Sequence, residues 1–410
     1  MPLSQRIAAE LAVFLPPRIF LDRLSQRTGS EYLKTEREGV CMRVGPELRF
    51  LNRTQVMFEG KPYLFFGGTD YHRLAGHPEV VAAFRQEAES GGLSCAGSRI
   101  TTGNNPLYGR LEERLSSFLS TEAVALCSAG YLSNTVALEA LADDYQRFFI
   151  DSDAHVSLRG PARCLAPERV FTFRHAEPDD LSQSIQGNLL PGERPLVLTD
   201  GVSSYDGQLA PLGEYWEIVR ERGGLLLVDD AHGIGTVGPS GKGSPEAARL
   251  PPVAFVQTGT LSKALGAFGG LVAGSIGLTP RIVERSRAFV GATAFPPPIA
   301  AAAIRSIEIL QANPEMISGL QTRTAHVRER LRAMGFVTGS SPAPIISITH
   351  RDAAKNERLC LILLERGLYV PLIHDYPGSP PGGYFRLTLS SVHTDSDVQC
   401  LLEAIARSCD

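Results

Sequence analysis

Val256-Gln257-Thr258-Gly259-Thr260-Leu261-Ser262-Lys263-Ala264-Leu265-Gly266 decides how the rest of this chain is read. An apolar run from Ala254 leads into small and hydroxylic residues and then a lysine, with Gly269-Gly270 just beyond. The pattern predicts a strand whose carboxyl end delivers Lys263 to the rim of an open α/β sheet, where such sheets bind ligands. Partial burial there lowers an ammonium pKa and makes the lysine an amine nucleophile suited to Schiff-base chemistry. The four other lysines have different settings: Lys34 and Lys355 have charged neighbours, Lys61 precedes Pro62, and Lys242 lies in a Gly/Ser loop. Lys263 alone has a strand-end setting of small residues.

Outward from this stretch, short apolar runs alternate with helical segments. The runs at 124–127, 148–151, 170–173, 196–199, 225–229, 254–258 and 270–274 predict seven strands within a large domain spanning 62–295. Continuous apolar strands separated by helices are what a parallel sheet covered on both faces requires. The last connection, from Lys263 to Gly270, is too short for a crossover helix, so the seventh strand is expected to be antiparallel. Residues 1–61 form an N-terminal segment: a helix, a Pro16-Pro17 break, a second charged helix, and extended pieces near 47–51 and 55–59. Pro296-Pro297-Pro298 interrupts the chain before a long helical region, 299–334. Short strands at 345–349, 368–372 and 384–389 and helices at 356–366 and 395–407 then predict a small α+β domain over 296–410.

The 410 residues are enough for two or three domains, and 43% hydrophobic with 20% charged residues is ordinary globular composition. A net charge of −4 gives no reason to expect nucleic acid or an anionic membrane as partner. The seven cysteines are scattered, with no CxxC pair or metal-ligand spacing, which predicts a reducing compartment and no metal. Arg6 and Glu10 interrupt the N-terminal helix pattern, and no apolar run approaches the roughly 18 residues of a membrane span. A soluble, cytoplasmic protein is expected.

Leu225-Leu226-Leu227-Val228-Asp229-Asp230-Ala231-His232-Gly233 predicts a buried strand that brings two carboxylates and an imidazole to the sheet edge. A carboxylate there suits a cofactor with a pyridine ring, keeping the ring nitrogen protonated so that the ring is an electron sink. On this stretch alone, an Asp capping the next turn is equally open. Gly233-Ile234-Gly235-Thr236-Val237-Gly238 also matches the dinucleotide fingerprint, but a loop (Pro239 to Pro245) follows where a helix is needed. Ser128-Ala129-Gly130-Tyr131 joins the first strand to a helix, whose first amides form an anion site suited to phosphate. Asp151-Ser152-Asp153-Ala154-His155 ends the second strand, and Thr199-Asp200-Gly201-Val202-Ser203-Ser204-Tyr205-Asp206-Gly207 ends the fourth with hydroxyls. Five strand ends thus carry polar or small residues on one edge.

These motifs together resemble the α-oxoamine synthases, a family of fold-type I pyridoxal-phosphate (PLP) enzymes that includes 8-amino-7-oxononanoate synthase, 2-amino-3-ketobutyrate CoA ligase, 5-aminolevulinate synthase and serine palmitoyltransferase. The resemblance runs from about Phe65 to the C-terminus. It implies a fold-type I PLP-dependent transferase, with a seven-stranded mainly parallel sheet, helices on both faces and a small α+β C-terminal domain. The implied cofactor is pyridoxal 5'-phosphate, with Lys263 as its Schiff-base lysine, Asp229 on the pyridine nitrogen and His232 on the phenolic oxygen. His155 is implied to stack on the ring and Ser204 to support its polar edge, while Thr260 with Gly130 and Tyr131 binds the phosphate. Thr293 matches a segment that reaches the neighbouring subunit's phosphate, which implies a homodimer, and Arg386 matches the arginine that grips the amino acid carboxylate. The implied reaction condenses a small amino acid with an acyl thioester, of CoA or an acyl carrier protein, and releases CO2 and an α-aminoketone. The chain has Thr69-Asp70-Tyr71-His72-Arg73 where the family often has Asn-Asp-Tyr-Leu-Gly, and Tyr108 where many members carry histidine. Both segments lie toward the substrates in the family and imply a specialised member. The runner-up reading is an aminotransferase or aldol-type lyase on the same fold, and a remote one is an NAD-binding dehydrogenase resting on the glycine fingerprint.

Overall fold

The computed structural model describes residues 45–374, 380 and 382–409. The two helices read from the first 44 residues lie outside that range. The chain forms two compact units. One comprises Thr69–Thr324 with Ser341–Pro344, and the other comprises the described residues up to Gly68, Ala325–Ser340 and those from Ile345 onward.

The first unit holds the seven strands expected: β1 Ala123–Cys127, β2 Arg147–Asp151, β3 Val170–Phe173, β4 Pro195–Asp200, β5 Leu225–Asp229, β6 Phe255–Thr260 and β7 Gly270–Gly274. Their order across the sheet is β1-β7-β6-β5-β4-β2-β3. Every pairing from β6 to β3 is parallel, and β7 runs antiparallel to both β6 and β1. The short connection between β6 and β7 forces that reversal, because a parallel neighbour needs a crossover of a dozen or more residues.

Alternation along each strand sends side chains to two apolar layers. Phe148, Ile150, Leu196, Leu198 and Leu227 enter one core, while Phe149, Val197, Leu226 and Val228 enter another. Helix α1 (Gly130–Leu141) contributes Val136, Ala137, Leu138 and Leu141 to the first core, and Tyr215 and Val219 of helix α2 (Leu212–Val219) join the second. Burying two apolar faces leaves the strand ends as the places where polar groups can sit.

The long helical region read at 299–334 is two helices, Pro297–Ala312 and Glu315–Ala333. Pro314 separates them, since a proline lacks the amide that would continue the first ladder. In the second unit, Gln55–Phe58 and Lys61–Phe65 pair as a hairpin, and Leu368–Tyr369 adds to it in parallel. The strand read at 368–372 therefore stops early. Leu372–Ile373 pairs instead with Tyr384–Thr388 in a separate three-stranded sheet with Ile345–Ile348. No helix among the described residues is long and apolar enough to cross a membrane.

At the sheet edge, the buried Asp151 carboxylate accepts from Asp153 N (2.9 Å) and meets His175 Nδ1 at 2.9 and 3.0 Å, tying the exit of β3 to β2. That hydrogen bond, opposed by burial and helped by the Asp151 charge, raises the His175 pKa to about 9. Because the folded value lies above the free imidazole value, the pair's contribution is whole below pH 6.5 and is lost as pH rises through about 9. The side chain is 34% exposed, and solvent screening limits the pH-dependent part to about 1–2 kcal/mol. His175→Gln should therefore be less stable than the parent by that amount at pH 6 in urea unfolding, and the gap should close by pH 10. A gap independent of pH would refute the ion pair.

Candidate active site

Lys263 lies in the nine-residue connection between β6 and β7, with its Nζ 2.7 Å from His232 Nε2. His232 comes from the turn that follows β5, the neighbouring strand. Its other ring nitrogen, Nδ1, meets the hydroxyl of fully buried Tyr71 at 2.5 Å. The imidazole is thus held between an amine and a phenol. If Tyr71 donates to Nδ1, Nε2 carries the proton toward Lys263; if Lys263 donates to Nε2, Nδ1 carries the proton toward Tyr71. Both arrangements satisfy all three groups, so protons can pass along the line.

The Tyr71 turn is built to fit the lysine turn. Asp70 accepts from the amides of Leu74 (2.9 Å) and Ala75 (3.1 Å), which curls the segment back on itself. Gly266, at φ 58°, then lies so close that a Cβ would fall 2.2 Å from the Ala75 nitrogen. In the sequence Tyr71 was read only within the Thr69–Arg73 segment that departs from the family's usual pattern, with no role of its own; the signal available was the Asp-Tyr pair itself.

Asp229 ends β5, and its carboxylate is met on both oxygens. Oδ2 accepts from Asn134 Nδ2 at 2.6 Å, and Oδ1 accepts from Ala231 N at 3.1 Å. Asn134, on α1, is completely buried and was missed in the sequence; the signal was one amide side chain in a helix otherwise rich in apolar residues. His155 caps helix α3 (Val156–Leu165), with Nδ1 2.7 Å from Ser157 Oγ and 3.2 Å from Ser157 N, and its backbone amide donates to Asp200. Burial, then the charge of Asp229, raises the Asp200 pKa well above the usual carboxylate range.

The adjacent carboxylate has a different fate. Asp230 is fully buried and accepts from Ser244 N (3.0 Å), Ser244 Oγ (2.7 Å) and Gln257 Nε2 (2.7 Å). Burial raises its pKa to about 7 despite these donors. Asp230 anchors the loop carrying Lys242 and does not reach the edge.

The first turn of α1 lies against the end of β6. Gly130 opens the helix against Thr260 at the end of β6, where a Cβ would lie 2.5 Å from the Thr260 Cβ. Thr260 Oγ1 accepts from Ser262 N at 3.1 Å and lies 3.0 Å from Gly269 O. Tyr131 stands 53% exposed with its ring edge toward His155, centroids 6.4 Å apart. Lys263, His232, Asp229, His155, Gly130, Tyr131 and Thr260 thus lie on connected strand ends of one sheet edge. Ser204 sits half-buried in the turn closed by Ser203 N to Gln208 O, after β4. Thr293 is exposed on a segment bridged to Ser98. Arg386 belongs to the second unit, opposite Ser347 in its strand pairing. Its Nε and Nη2 are buried without a hydrogen-bond partner among the described residues.

Two features singled out in the sequence find their structural setting here. Tyr108 is a core residue, its hydroxyl donating to Phe295 O (2.5 Å) and its ring under the Arg99 guanidinium. No helix opens within Gly233–Gly238, and Gly233 is where the Asp230 carboxylate needs space: a Cβ there would meet its Oδ1 at 2.0 Å. The dinucleotide fingerprint is therefore a packing feature.

Known proteins resemble this chain over most of its length. The aminotransferase class I and II family pattern matches residues 62–405. The 8-amino-7-oxononanoate synthase of Thioalkalivibrio sulfidiphilus is 38% identical over 357 residues, which cover 86% of this chain and 90% of that one. A serine palmitoyltransferase of Sphingomonas wittichii superposes with a TM-score of 0.80 at 28% identity, over 87% of this chain and 90% of that one. A serine palmitoyltransferase structure described as holding its PLP internal aldimine gives 0.81 at 27%, over 88% and 90%. The chain belongs to the aminotransferase class I and II family and, within it, to the α-oxoamine synthases.

Proposed function

We propose that this protein is a pyridoxal-phosphate-dependent acyltransferase that condenses a small amino acid with an acyl thioester, releasing CO2, free thiol and an α-aminoketone. The observation that carries this reading is the Lys263–His232 contact at 2.7 Å beside the Asp229 strand end. The residues fit the cofactor on chemical grounds. An amine, a carboxylate held by two donors, an imidazole and a helix N-terminus kept open by Gly130 occur on one edge. When bound, PLP supplies the electron sink that stabilises negative charge at the amino acid α-carbon.

The remaining roles fall to the chain. Lys263 Nζ holds the cofactor and is the base that takes and returns the α-proton, with His232 and Tyr71 as its proton partners. Asp229 would hold a proton on the ring nitrogen, and His155 would stack on the ring. Thr260 with the first amides of α1 would receive the phosphate, and Ser204 would support the ring's polar edge. Arg386 receives the substrate carboxylate, for which its buried Nε and Nη2, without a hydrogen-bond partner among the described residues, are suited. The protein acts as a homodimer in which Thr293 reaches the partner's phosphate; its exposure supports that role. CoA or an acyl carrier protein delivers the acyl group.

The visible spectrum tests the reading directly. The purified protein with PLP should show an imine band that one of Gly, Ala or Ser shifts, and Lys263→Ala should lack the band in the absence of amino acid. CO2 and thiol should appear in equal amounts from amino acid plus acyl thioester. Transamination of the amino acid or aldol cleavage without thiol release would instead favour the runner-up chemistry, and a colourless protein would overturn the proposal.

Arg386→Lys loses a bidentate grip. It should raise the amino acid KM by about 10- to 100-fold with a smaller change in kcat. Steady-state kinetics varying the amino acid at saturating thioester would measure the split, and an unchanged KM would remove Arg386 from the site.

A further inference from the structure

Asp229 and His155 arise on different elements, and the structure links them through a single buried amide. We propose that Asn134 is a positioning residue that fixes the charge of Asp229 and the tautomer of His155 together. This rests on the reading of both groups as facing the cofactor.

The hydrogen bonds leave little freedom. Asn134 has two N–H bonds on Nδ2, one pointing to Asp229 Oδ2 at 2.6 Å and the other to Ser157 Oγ at 3.0 Å. Its carbonyl Oδ1 accepts from Thr258 Oγ1 at 2.6 Å. Reversing the amide would put Oδ1 against the carboxylate at that short distance, so Asp229 dictates the orientation and Thr258 confirms it by supplying a donor on the other side. Ser157, having accepted from Asn134, has one proton to give. The nearby acceptors are His155 Nδ1 at 2.7 Å and Asp229 Oδ2 at 3.5 Å, and the shorter contact takes it. The Ser157 backbone amide also donates to His155 Nδ1, at 3.2 Å. Two donors on Nδ1 leave the neutral imidazole with its proton on Nε2. One amide thereby donates a charge-assisted bond to Asp229 and, through Ser157, sets which His155 nitrogen carries the proton.

Asn134 and Thr258 are both fully buried, so stability alone would be moved by any change there, and the test must separate position from folding. Apoprotein should be titrated with PLP for the parent, Asn134→Asp, Thr258→Val and Thr258→Ser, recording the dissociation constant and the pH dependence of the visible band, with urea unfolding of each apoprotein alongside. Asn134→Asp sets a carboxyl against Asp229; it should weaken PLP binding about 10- to 100-fold and move the band's pH midpoint, because two adjoining carboxylates share a proton. Thr258→Val leaves the buried amide oxygen without its donor and should weaken binding by about 5- to 10-fold, while Thr258→Ser, which keeps the hydroxyl, should stay within about twofold of the parent. If Asn134→Asp fails to fold, the Val and Ser pair still decides. Folded variants with the parent's dissociation constant and pH profile would overturn the inference while leaving the proposed function intact. A parent protein that takes up no PLP would overturn both.

Discussion

The constraint on which this site depends is the delivery of a carboxylate, Asp229, to the end of a central strand with apolar layers on both faces. Leu226 and Val228 enter one core and Leu227 the other, so β5 has no freedom to rotate its last residue away. A charge brought to that position must find donors or lose its ionisation. The chain supplies them from two directions, Asn134 from α1 and Ala231 from the turn beyond the strand. That same turn swings His232 toward Lys263 on the next strand's connection, so the geometry satisfying the carboxylate also brings amine and imidazole together.

Asp230 shows how much environment decides between two identical side chains in sequence. It points away from the edge, into a pocket where a Cβ on Gly243 would lie 1.7 Å from its Oδ2. Three hydrogen bonds hold it there. The Gly-rich run after the strand, which imitates a phosphate-binding fingerprint, exists in part because this carboxylate occupies the space side chains would need. A pattern of glycines reports close approach of backbone to something; here that is the protein itself.

Placement that follows from local sequence was legible. Asp229 closes an apolar run, Lys263 and His232 lie a few residues beyond one, and the antiparallel β7 follows from the length of one connection. Asn134 and Ser157 were not, because their importance arises only where α1 and α3 meet β5, and Asn134 is 95 positions from the carboxylate it holds. Tyr71, 161 positions from His232, is a similar case. Errors of extent had local physical causes, such as Pro314 cutting one helical region and separate pairing partners dividing 368–372.

Helix α1 then acts as a ruler for the site. Gly130 and Asn134 are four residues apart and so face the same way, about 6 Å apart along the axis. Gly130 meets Thr260, Ser133 Oγ donates to Gly259 O at 3.2 Å, and Asn134 meets Thr258, so the first turn lies along the last three residues of β6. The helix cannot slide along that strand without breaking all three contacts. Its N-terminus and its one buried amide are therefore held at fixed separation, one suited to an anion and the other committed to Asp229. A cofactor with a phosphate at one end and a basic ring nitrogen at the other would be gauged by a single element whose own register is set by the strand that leads to Lys263.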